Sequence, residues 1–199
     1  MPPPEQTGAH SASANFRILG SEVVYKGPRI DVDRTTIMSP AGETFEREVV
    51  RHPGAVAVVP VTDSGSVLLV RQFRAPTGRR LIEIPAGTRD VDGEPPEETA
   101  RRELTEEVGV VAGKLVELGR YWNSPGFCDE ETILYIATDL TPGETDRGGV
   151  EEEYIEVLEI PLEEVDGALA ADATLDMQTV VGVILARSFL AQQRATQAG

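Results

Sequence analysis

Residues 81–110, LIEIPAGTRDVDGEPPEETARRELTEEVGV, hold the feature that most constrains this chain: a short helix that must bury one side and carry clustered carboxylates beside it. Pro95 and Pro96 suit a first helical turn, and Gly109 tolerates the left-handed residue that ends one. At about 100° per residue, Glu103, Glu106 and Glu107 fall within a roughly 100° arc. Ala100, Leu104 and Val108 form the adjacent apolar stripe, which pins the helix to a core and leaves the carboxylates at the rim of that contact. Converging oxygen ligands of this kind suit a hard cation such as Mg²⁺ or Mn²⁺.

Most glutamate runs on helices are solvated faces. The neighbourhood argues for more here. Residues 81–85 read as a short β-like run, and Ala86-Gly87 reads as a turn able to bring a backbone carbonyl beside the helix. Strand, glycine turn and acid-faced helix together point to a metal site.

These residues resemble the motif of the Nudix hydrolases, Gly-x5-Glu-x7-Arg-Glu-U-x-Glu-Glu-x-Gly-U, with U aliphatic. The chain reads Gly87-x6-Glu94-x7-Arg102-Glu103-Leu104-x-Glu106-Glu107-x-Gly109-Val110. One residue is inserted between Gly87 and Glu94, so that Gly93 stands where the family's first glutamate would. The resemblance implies metal ligands at Glu103, Glu106, Glu107 and the carbonyl of Ala86, holding two to three Mg²⁺ or Mn²⁺ ions. It also implies a structural ion pair between Arg102 and Glu94.

Elsewhere the texture is that of one α/β (α+β) domain with an appendage. Residues 15–53 alternate in the manner of about three antiparallel strands, with turn signals at Gly27-Pro28 and around Gly42. A sheet so small is marginal alone, so it should pack on the rest of the protein or on a second subunit. From Gly54 to the end, residues 54–199, the dense apolar runs 55–61 and 67–72 read as buried central strands. Residues 115–122, 132–137 and 154–160 extend the sheet, residues 161–170 suggest a short helix, and Asp176 can cap a last helix. Strands flanked by helices early and late give an α/β/α sandwich with a mixed central sheet, which is also the architecture the resemblance implies.

Residues 1–14 hold prolines and small residues without an apolar run, and read as a disordered tail rather than a secretory signal. A single cysteine, Cys128, excludes an internal disulfide and agrees with a reducing, cytoplasmic compartment. The formal charge of −16 argues against nucleic-acid or acidic-membrane partners, which need a basic surface. A small anionic ligand would need local cations. Arg71, Arg74, Arg79 and Arg80 crowd together before the motif, and guanidinium forks suit a pyrophosphate, with Arg71 and Arg74 favoured. Pairing with surface glutamates is the competing use of such arginines.

Three further segments gain meaning from the resemblance. Pro125 and Gly126, in a Ser-Pro-Gly loop followed by the acidic pair Asp129-Glu130, are similar to the ADP-ribose pyrophosphatase branch, although Pro-Gly is also an ordinary turn. Residues 141–156 form an acidic stretch from which, in that branch, a general base is supplied; Glu151 or Glu153 would serve, with Glu152 beside them. Arg47 and Glu48 lie in the region that recognises adenine, often across a homodimer made through the N-terminal β-segment; exposed charges on an edge strand are the plainer reading.

The expected activity is metal-dependent hydrolysis of ADP-ribose to AMP and ribose 5-phosphate, with Glu106 counted among the catalytic groups. Two alternatives stand beside it. The substrate is another nucleoside diphosphate sugar or a dinucleotide, or the chain is a Nudix sensor that binds ADP-ribose without cleaving it.

Overall fold

A computed structural model describes residues 15–145, 152–172 and 176–197. The tail expected at residues 1–14 and the candidate base Glu151 lie outside the described residues. The chain divides into two compact units, one running up to His52 and including Ser124–Asp129, the other formed by Pro53–Asn123 and the residues from Glu130 onward.

In the first unit, β1 (Arg17–Lys26), β2 (Asp31–Met38) and β3 (Thr44–Arg51) form an antiparallel sheet in that order. Strand β1 is continuous over its ten residues but not regular. Register shifts between Ile18 and Gly20 and between Val23 and Tyr25 absorb the irregularity, as bulges do. Residues 124–129 join this unit through β3: Val50 N–H donates to the Phe127 carbonyl (2.8 Å) and Asp129 N–H to the Val50 carbonyl (3.1 Å).

The second unit holds β4 (Ala55–Pro60), β5 (Ser66–Arg74), β6 (Arg79–Glu83), β7 (Ala86–Thr88), β8 (Val110–Trp122), β9 (Glu131–Pro142) and β10 (Glu156–Pro161). Its helices are α1 (Pro96–Val108), α2 (Val165–Asp172) and α3 (Met177–Gln197). Strand order is β7-β4-β9-β8 in one sheet and β10-β5-β6 in the other, with β4 and β9 parallel and the remaining pairs antiparallel.

Strand alternation explains why β4 reads as an unbroken apolar run. Val56 and Val58 turn to a core shared with Ala100, Leu104, Ile133 and Tyr135, on the α1 side. Ala57 and Val59 turn to a core shared with Leu69, Ile84, Leu134, Val183 and Ala186, on the α3 side. Helices therefore cover both faces of a mixed sheet. The Asp176 cap forms as expected, its carboxylate accepting from Thr179 N–H at 2.8 Å.

One local expectation fails. Ala86-Gly87 is not a free turn but part of strand β7, paired antiparallel with β4. A three-residue run containing glycine carries no periodic signal, and only its partner strand makes it extended.

Candidate active site

Helix α1 forms where the residue pattern requires it. Pro95 is the N-cap, Glu97 and Glu98 sit in the first turn where the helix dipole favours acids, and Gly109 closes the helix in the left-handed region at φ 69°. Ala100 and Leu104 are fully buried. Burying that stripe carries Glu103 and Glu107 down with it, to 9% and 6% exposure, so both charges need partners.

The partners define a cluster. Glu107 Oε2 accepts the Ala86 N–H at 3.1 Å, which fastens the helix to β7. Arg102 Nη1 lies 2.8 Å from Glu103 Oε1 and 2.9 Å from Glu106 Oε2. The same guanidinium reaches both oxygens of Glu94 at 3.4 Å, and the Thr99 hydroxyl donates to Glu94 at 2.8 Å. Burial pulls the Arg102 pKa down, but the charges of Glu103, Glu106 and Glu94 outweigh it and raise the pKa well above the ordinary value. Glu94 shows the reverse sign: burial raises its pKa, yet the Thr99 and Arg102 hydrogen bonds and the Arg102 charge hold it below the usual carboxylate range.

Backbone register completes the site. Arg89 N–H donates to the Gly54 carbonyl and Val58 N–H to the Pro85 carbonyl, so those are the hydrogen-bonded pairs of β4 and β7. Ala57 and Ala86 fall between them as a non-hydrogen-bonded pair. The polar backbone groups of Ala86 therefore face away from β4, along the sheet's free edge, where its N–H meets Glu107. Beside it, a methyl group at Gly87 would overlap the Glu103 carboxylate. Glycine at this position lets the helix carboxylate lie directly on the strand.

This donor set is made of carboxylates and a carbonyl, the chemistry of hard divalent cations. Among the described residues, no group of three histidine, cysteine, aspartate or glutamate side chains is gathered closely enough to hold a metal ion. Two of the carboxylates nevertheless approach a single cationic atom, Arg102 Nη1, within 3 Å. Glu103 and Glu106 can thus share one cation, and the site fits an ion of this class.

The arginines divide. Arg74 Nε is 3.1 and 3.0 Å from the two Glu83 oxygens and Nη2 is 2.7 Å from one of them, while Gln72 donates to the same carboxylate at 2.9 Å. Arg71 faces Glu156 at 3.4 Å. Arg80 donates to the carbonyls of Arg71 (3.1 Å) and Tyr154 (2.9 Å), and Arg79 is exposed. Glu153 is exposed in a 3-10 turn, Glu152–Tyr154, just ahead of β10. Sequence reading passed over Glu83; a lone acid in the apolar run of residues 81–85 is the signal that marks it.

Arg47, Glu48, Pro125 and Gly126 belong to the first unit. Arg47 stacks on Phe45, its Cζ 4.7 Å from the ring centroid, and Glu48 stands opposite Arg34 on the exposed sheet. Pro125 and Gly126 form the exposed tip of the loop that β3 holds. Asp129 locks that loop: it accepts from Arg51 Nη1 and from His52 N–H, both at 2.9 Å, while Arg51 Nε donates to the buried Asp33 at 2.8 Å.

The chain is similar to several known proteins. The NUDIX domain matches residues 51–196. An ADP-ribose pyrophosphatase of Bacillus subtilis is 39% identical over 171 residues, covering 86% of this chain and 92% of that protein. A methanol dehydrogenase activator of Bacillus methanolicus is 35% identical over 167 residues, covering 84% and 90%. A crystal structure described as an ADP compounds hydrolase superposes with a TM-score of 0.78 at 26% identity, over 89% of this chain and 95% of the other.

Proposed function

This chain belongs to the NUDIX domain family, and from that premise we propose that it is a divalent-metal-dependent pyrophosphohydrolase that splits ADP-ribose into AMP and ribose 5-phosphate. The observation that carries the reading is the meeting of Glu103 and Glu106 on one cationic atom, next to a strand edge to which Glu107 is fastened. The substrate follows from the Bacillus subtilis relative, which is similar over most of both chains.

Glu103, Glu106, Glu107 and the carbonyl of Ala86 would hold two to three Mg²⁺ or Mn²⁺ ions. Such ions, when bound, neutralise charge on a pyrophosphate and acidify water. Arg74 orients the pyrophosphate for displacement, while Arg71, on the opposite face of β5, faces Glu156. Glu151 or Glu153 takes the proton of the attacking water. Arg47 and Glu48 recognise the adenine, and Pro125 and Gly126 shape the loop that meets the substrate.

The protein works as a homodimer in the cytoplasm. The dimer reading is supported by β1, exposed along its whole length while carrying Ile18, Leu19, Val23, Val24 and Tyr25. For the compartment, the support is the single free cysteine.

The deciding assay follows phosphate-monoester release from ADP-ribose and a panel of nucleoside diphosphate sugars with Mg²⁺, comparing wild type with Glu107→Gln. ADP-ribose turnover lost in the variant supports the proposal. Turnover confined to another nucleotide sugar reassigns the substrate. No turnover of any compound, with ADP-ribose still bound in calorimetry, makes the protein a sensor.

A further inference from the structure

Resting on the phosphate-binding role of Arg74, we propose that Glu83 is a positioning residue, holding the Arg74 guanidinium in the one orientation that meets the substrate diphosphate.

Sheet register brings the two together. Val70, Gln72 and Arg74 share one face of β5 with Arg79, Leu81 and Glu83 of β6. Val70 packs in the core on the α1 side, so this face turns toward the carboxylate helix. The Arg74 side chain is 42% exposed and that of Glu83 only 6%, which places the carboxylate beneath the guanidinium. Glu83 takes the Nε and Nη2 edge of Arg74, and the Gln72 amide fills a remaining acceptor position on Glu83 Oε2. Among the described residues no hydrogen bond engages Nη1, and that amino group is the one offered to an anion. Arg74 also feels the charges of Glu107 and Asp176, which sets its head within electrostatic reach of the candidate metal site.

A buried carboxylate is an expensive way to join two strands. Apolar side chains of similar volume would hold β5 and β6 together without the desolvation cost. What the pair adds is direction. A free arginine rotates about several bonds, whereas one clamped along Nε and Nη2 presents a fixed edge, and less rotamer freedom is lost when phosphate binds.

The test compares wild type, Glu83→Gln, Arg74→Gln and the double variant. ADP-ribose affinity is measured by calorimetry in EDTA, where no turnover occurs, and KM and kcat are measured with Mg²⁺. Glu83→Gln should raise both Kd and KM about tenfold while kcat changes less than about threefold, and the double variant should bind no more weakly than Arg74→Gln. Glu83→Asp, which keeps the charge, should recover part of the affinity and keeps the proposal testable if the glutamine variant fails to fold. Unchanged KM with a lower kcat, or fully additive effects of the two substitutions, would overturn the positioning role. Wild-type binding without wild-type turnover overturns the hydrolase reading alone, since the Kd comparison still decides Glu83.

Discussion

Gly87 lies so close to Glu103 that a single added methyl group would occupy the space of the carboxylate. The strand and the helix therefore meet through a hydrogen atom on one side and a charged group on the other. Gly87→Ala forces either Glu103 off its rotamer or α1 away from β7, and a displacement near 1 Å at a reacting centre costs about 10²-fold in rate. Hydrolysis should fall by that order while circular dichroism stays native, and Mn²⁺ affinity measured by electron paramagnetic resonance should weaken in parallel. Wild-type activity in this variant would show that Glu103 is not held against β7 in the working enzyme.

Glu94 gives a pH signature. Its carboxyl is held below the ordinary value of 4.5 by Thr99 and Arg102, whose hydrogen bonds outweigh burial. A depressed carboxyl stabilises the fold fully above its unfolded pKa, and the contribution is lost as pH falls through the folded value. The stability advantage of wild type over Glu94→Gln should be constant from neutral pH down to about 5 and should close only below 4.5. Urea melts of both proteins across that range check this, and an advantage already gone at pH 6 contradicts it.

Asp129 fastens the Pro125-Gly126 loop to β3 through Arg51 and the His52 amide. Both side chains are partly exposed, so little global stability depends on the pair. Asp129→Asn should act locally. Amide exchange at Val50 and Asp129 should quicken by about tenfold or more with little change in Tm. Unaltered exchange would mean that the backbone bonds alone hold the loop.

Gly109 ends α1 at φ 69°, with its N–H shared between the carbonyls of Leu104 and Thr105. A side chain there meets left-handed strain, and an added Cβ would stand 3.0 Å from the Thr145 methyl. Gly109→Ala should cost roughly 1–2 kcal/mol in urea unfolding. A loss well below 1 kcal/mol would show that the helix end relaxes into another cap.

Much of the site was legible in the chain because its signals are local. Helical spacing alone puts Glu103, Glu106 and Glu107 beside the stripe of Ala100, Leu104 and Val108, and Pro95 and Gly109 bracket the helix whatever it packs against. The buried strands announced themselves in the same way, through unbroken apolar runs at β4 and β5. These features depend on neighbours within a few residues, and such neighbours are written in sequence order.

What only the tertiary structure decided is pairing between distant segments. That Ala86-Gly87 is a strand edge depends on β4, some thirty residues earlier, and that Gly87 must be glycine depends on where α1 comes to rest. The division of the arginines is of the same kind: Arg74 is claimed by Glu83 and Arg80 by the Tyr154 carbonyl, partners fixed by strand register and not by spacing along the chain. A guanidinium reaches any acceptor that the fold brings near it. The sequence could therefore supply the cations, but sheet register chose which acceptors they meet.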